Sequence, residues 1–338
     1  MAYTTINKSS DYFETTTYTG GTTDISSLSF EPALVWAKKR DGAEAHGLFD
    51  AVRGALKALK PSADNAEAIR SGSLTSFDND GWSMGGSDGI ISASGSTYVG
   101  WAWKANGVGS ANTDGSINAD VSASPASGFS IVAYTGTGAN ATVGHGLGVA
   151  PKMIIAKARG QTSTWSVYHA STGATKFFRL NETNAEATET GWWNNTEPTS
   201  SVFTIGVNHY ASTQVAYCFS EIPGFSKFSE YTGNGSDNGP FIYTGFKPAF
   251  VIIKSYSTNP WILLDNKRGP TNVNQSKIFP NDSVVENNDS SNGIDFLSNG
   301  FKVRRNNSEI NTSGTPYIYM AFAEAPLVGT NGVTAKAR

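Results

Sequence analysis

The chain has 338 residues and a formal net charge of −3, which excludes an electrostatic footprint for nucleic acid or anionic membranes. Its 36 glycines, 12% aromatic and only 16% charged residues make a composition thin in helix formers and rich in turn and strand residues. Cys218 is the single cysteine, so no disulfide framework or cysteine-based metal site is available, and Ala249 to Ile253, about the longest apolar run, is strand-sized.

From the N-terminus, "MAYTTINKSSDYFETTT" is polar, which predicts no signal peptide and a protein folded in a cytoplasm. Tyr18-Thr19-Gly20 follows, then the apolar run of "FEPALVWAK" opening at Pro32 and ending at Lys38. Next comes "GLFDAVRG", which carries Asp50 and Arg53. A short helical turn capped by Ser62 is expected over 62–70. A strand around Trp82 follows the hairpin signal Asp80-Gly81, and "YVGWAWKANG" closes the unit.

The same order then returns twice. Tyr134-Thr135-Gly136 precedes Pro151 and Lys157, and Tyr231-Thr232-Gly233 precedes Pro248 and Lys254. In all three units the lysine stands six residues beyond the proline. "WILLDNKRG" places Asp265 and Arg268 where the first unit has Asp50 and Arg53, and the drifted "WSVYHASTG" has His169 and Thr172 there. A second helical turn is expected near Asn181 to Ala187. The reading is all-β: three tandem, internally homologous antiparallel β-sandwich domains, jelly-roll-like. Their expected limits are 1–107, 128–224 and 225–338 with a C-terminal tail. A Gly/Ser/Asn-rich linker, 108–127, is expected as an extended strap or flexible connector.

Candidate sites are few. "TVGHGLGVAPK" suggests a loop with a catalytic imidazole, yet the units carry Ser26 and Ile242 at the place of His145, and its glycines lead into a strand rather than a helix. It reads as a turn. Asp78-Asn79-Asp80-Gly81 lacks the spacing of a calcium loop and reads as a hairpin. Lys38, Lys157 and Lys254 are expected to lay their aliphatic stems over apolar surface. The Asp50/Arg53 and Asp265/Arg268 pairs are expected as structural salt bridges. Trp192-Trp193 with Asn194-Asn195, absent from the other units, offers the chemistry of sugar stacking or of a protein contact, with burial as the alternative. Trp101 and Trp103 read as core. No catalytic constellation, cofactor or metal site is expected.

The stretches "MAYTTINKSSDYFETTTYTG", "FEPALVWAKKR", "GFKPAFVIIK", "DNKRG", "WAWKANG", "MAFAEAPLV" and the terminal "TAKAR" resemble repetitive β-domain virion structural proteins of marine bacteriophages, across essentially the whole chain. That resemblance implies a non-enzymatic virion component, assembled in the host bacterial cytoplasm, with other virion proteins as partners. Capsid decoration or a surface knob is the expected place. A tail fibre or appendage gripping host-surface glycan is the alternative, and a glycan depolymerase a more distant one. A homo-oligomer is expected, a trimer among the options, with no nucleic acid and no membrane insertion. Three unequal domains in one chain could instead form a pseudo-threefold unit by themselves.

Overall fold

The structure, a computed structural model, describes residues 4–21, 24–290 and 293–327; the terminal "TAKAR" and the tail beyond 327 lie outside them. The molecule is all-β, built from antiparallel sheets. Three of these contain the same strand order. In the first, an opening strand Phe13–Thr19 pairs with a closing strand Thr97–Trp103. The closing strand pairs with the proline-headed strand Leu34–Lys39, and that with Gly47–Asp50. In the second, the corresponding strands are Phe129–Thr135, Thr213–Phe219, Met153–Ala158 and Ser166–His169. In the third they are Ser226–Thr232, Pro316–Pro326, Phe246–Ser255 and Ile262–Asp265.

The two-residue alternation of a strand decides which side chain goes where. Leu34 and Trp36, Met153 and Ile155, Phe250 and Ile252 enter one core shared by all three sheets. The intervening Val35 and Ala37 face a separate core with Trp82, Ile90 and Ile91, and Ile154 and Ala156 face another with Phe203 and Ile205. Small outer sheets cover those faces: Leu74–Asp78 with Gly81–Met84, Ala141–Gly144 with Val202–Ile205, and over the third sheet Phe241–Tyr243, Gly300–Val303 and Ile294–Leu297. At the centre the closing strands bring Trp103, Phe219 and Phe322 together, with ring centroids 6.4, 6.1 and 5.8 Å apart. Edge-to-face geometry at this distance adds to the burial of three large rings.

Several expectations are corrected. The segment expected as a linker, 108–127, carries strands Ser110–Asn112 and Ala119–Ser124, which extend the second sheet beside Phe129–Thr135. Val121 supplies the reason: it is buried in the second sheet's outer core. No helical turn forms over 62–70; Ala68–Ile69 pairs with Lys57–Ala58 instead. The four-residue helix lies not at 181–187 but at Thr190–Trp193. Pro248 does not precede its strand but sits inside it at a bulge, where a missing N–H is tolerated.

Candidate functional site: the seams between the sheets

The repeated residues converge where one sheet meets the next, in three seams that close a ring. Ser163 N–H donates to the Asp64 carbonyl at 2.9 Å, and Glu67 N–H to that of Arg159 at 2.8 Å, joining the first sheet to the second. Asn259 to Thr183 (2.9 Å) and Glu186 to Tyr256 (3.0 Å) join the second to the third. Glu44 to Ser283 (2.8 Å) and Glu286 to Arg40 (3.1 Å) return from the third to the first. Ring nitrogens repeat the pattern. Trp165 Nε1 donates to Lys60 O (2.9 Å) and Trp261 Nε1 to Arg179 O (2.8 Å), while His46 Nε2 meets Phe279 O (3.0 Å).

Asp50, Arg53, Asp265 and Arg268 are the fully buried hubs of two seams. The Arg53 guanidinium pairs with Asp50 and also donates to Glu67 (2.9 Å) and to the carbonyls of Lys57 and Leu48. Asp50 accepts in addition from Tyr217 Oη of the second sheet at 2.7 Å. Glu67 then reaches Arg159 by two 2.9 Å contacts. Burial pushes the Glu67 carboxyl up, but the two guanidiniums outweigh it and hold it low. In the third-to-first seam Arg268 Nε pairs with Asp265 at 2.6 Å, Trp101 Nε1 donates to Asp265 at 3.0 Å, and Arg40 holds Glu286 at 2.7 and 3.1 Å.

The second-to-third seam differs by a matched set of residues. Met320 stands at the place of Tyr217 and Trp101 and has no N–H or O–H to offer, so a carboxylate there would lack that donor. His169 replaces the aspartate and Thr172 the arginine, which leaves no charge to compensate. His169 Nδ1 accepts from Ser171 N–H (3.2 Å), so its proton is assigned to Nε2, facing Tyr319 O at 3.3 Å. Burial lowers this imidazole to about 4.

The lysines are not surface stems: Lys38, Lys157 and Lys254 are buried to the ammonium. Each Nζ caps the loop leaving its strand, donating to Lys39 O (2.5 Å), to Ala158 O (2.7 Å) and Ser163 Oγ (3.0 Å), or to Ser255 and Ser257 O (2.8 and 2.9 Å). No carboxylate is within salt-bridge distance of these three ammoniums among the described residues, and burial lowers them to about 8, 8 and 7. Tyr18 and Tyr231 hold the outer layer through their hydroxyls, to Ile91 O (3.0 Å) and Ile310 O (2.7 Å), and Tyr134 faces His209 Nδ1 at 3.3 Å. Pro32 and Pro151 are buried just ahead of their strands.

His145 is buried; Leu147 N–H donates to its Nδ1 (3.2 Å), and its Nε2 faces Thr199 O at 3.2 Å. Gly146 and Gly148 take φ of +68° and +74°, the turn geometry expected of them. Trp192 and Trp193 are core, which corrects their reading as a sugar or partner contact. Their rings lie 5.2 Å from Phe177 and 6.0 Å from Tyr168, and both pack on His209. Asn194 and Asn195 turn the chain out of the helix at φ of +49° and +50°, and Asn194 Oδ1 accepts from Asn140.

The residues that make the seams and that sequence reasoning missed are Tyr217, Trp101, Glu67, Glu286, Arg40 and Arg159. One signal was present: Arg40 and Arg159 each stand two places beyond the repeated lysine. No three-residue metal-ligand cluster occurs among the described residues, and no helix of the described residues is long and apolar enough to cross a membrane. No curated protein and no solved structure matches the chain. One family profile, a domain of unknown function (DUF7483), matches residues 8–326 continuously, across all three sheets and all three seams. The chain therefore belongs to the DUF7483 family.

Proposed function

We propose that the chain is three tandem, internally homologous β-sandwich domains closed into a pseudo-threefold ring, and that it serves as a non-enzymatic virion structural protein exposed on a bacteriophage particle. Capsid decoration is the preferred place. The observation that carries the reading is the ring of three corresponding seams around Trp103, Phe219 and Phe322. A unit whose own contacts follow a threefold cycle fits a threefold or quasi-threefold position of a lattice without a second chain. Its weak outer contacts would act together through copy number. The resemblance to marine phage virion proteins supports the same class.

Labelled antibody on intact particles, with quantitative mass spectrometry of the virion, tests the placement. Label over the head and an abundance that scales with the capsid protein are expected. Label confined to the tail would overturn decoration and favour an appendage that grips host glycan.

A further inference from the structure

The three seams are not equally filled. Where the opening strand of the first sheet meets the third, a groove of about 440 Å³ opens between Phe13–Thr15 and residues 266–270. That volume lies within the range of small-molecule sites. The repeat itself supplies the comparison. Thr15 stands at the place of Ile131 and Phe228, both buried in the shared core. Counted from the repeated aspartate or histidine, Asn266 stands where the other units have Ala51 and Ala170, and Lys267 where they have Val52 and Ser171. Thr15 on one side of this seam and Asn266 on the other thus place polar side chains where both other units have apolar ones.

The charges around the groove are already balanced. Lys267 pairs with Glu14 at 3.0 Å and Lys247 with Glu324 at 2.8 Å, and Asn266 Nδ2 donates to Glu324 at 2.5 Å. A charged ligand would have to break one of these pairs. A neutral ligand with several hydroxyls would not, because each hydroxyl can donate to a carboxylate and accept from an ammonium or amide. Beneath them the Thr15 hydroxyl is buried and has no hydrogen-bond partner among the described residues. Such a group costs stability relative to the isoleucine of the second sheet.

We propose that this groove binds one neutral, hydroxyl-rich sugar residue. The inference holds whether the protein sits on a head or a tail.

The test is saturation-transfer NMR on the full chain with the methyl glycosides of glucose, galactose, mannose and N-acetylglucosamine. At least one should show transfer, with Kd on the order of millimolar. Thr15→Ile, which places the second sheet's residue in the floor, should abolish transfer at an unchanged or higher melting temperature. Asn266→Ala should weaken binding several-fold, which keeps the test informative if the first variant fails to fold. Phe241→Ala and Tyr243→Ala, on an exposed edge strand, should leave transfer intact. No transfer from any of the four glycosides would overturn the proposal. So would transfer that survives both groove variants, or transfer lost with the edge-strand aromatics.

Discussion

At the scale of single residues, Asp50 and Asp265 are the most consequential positions, because each satisfies a buried guanidinium and a donor from the neighbouring sheet at once. Removing one partner of a buried pair leaves an uncompensated charge, which costs more than the pair contributes in place. Asp50→Ala should therefore destabilise the fold by about 3–5 kcal/mol, read from urea unfolding. An effect under about 1 kcal/mol, the range of exposed pairs, would mean the hub is solvated. Trp193→Ala should cost about 3–5 kcal/mol as a core truncation, visible as a lower melting temperature. Unchanged stability would return that tryptophan to the surface. Thr172→Arg should destabilise the second-to-third seam, where His169 and Met320 provide no carboxylate to receive a guanidinium.

At the scale of elements, the strands Ser110–Asn112 and Ala119–Ser124 show how composition misleads. The stretch is small and polar, yet backbone pairing needs few apolar side chains, and Ala119 and Val121, buried on one face, set the register. Hydrogen exchange should protect the amides of 119–124 that pair with Phe129–Thr135; exchange at the rate of an open loop would contradict the pairing. The missing helix over 62–70 has the same origin. Local capping chemistry favoured a turn, but the strand Lys57–Ala58 offered a ladder, and tertiary pairing overrides weak propensity.

At the scale of the whole molecule, the shared core ties the three sheets into one cooperative unit. Calorimetry should show a single unfolding transition; three independent sandwiches would melt in separate steps. The titratable groups set its pH range. His46, His169 and His209 are held by burial near 3, 4 and 3 against an ordinary 6.5, and His145 is lowered too. Below 6.5 the unfolded chain binds protons that the fold refuses, so stability present above 6.5 is lost as pH falls toward 3–4. The three lysines act in the same direction higher up, stability rising between about 7 and the ordinary 10.5. The half-buried Tyr18 and the buried Tyr217 and Tyr231 are raised above their ordinary 10, and their contribution is lost as pH rises beyond it. Urea midpoints should therefore climb from acid pH to a maximum between 8 and 10; a maximum at acid pH would contradict the buried neutral imidazoles.

What the sequence determined by itself was the repeat, the all-β class and the residues that recur: tyrosine, proline, lysine, and the Asp/Arg pairs with their His/Thr variant. These are legible because strand periodicity, turn chemistry and the repeat are local in the chain. Tertiary structure alone decided that the lysines are buried to their charge, that Trp192 and Trp193 are core, and that the linker is a pair of strands. It alone also decided that the Asp/Arg hubs face Tyr217 and Trp101, residues 167 and 164 positions away. Burial and pairing at that separation depend on which sheet face meets which, and the same alternating pattern serves an inner face and an outer one equally well. Only closing the ring distinguishes them.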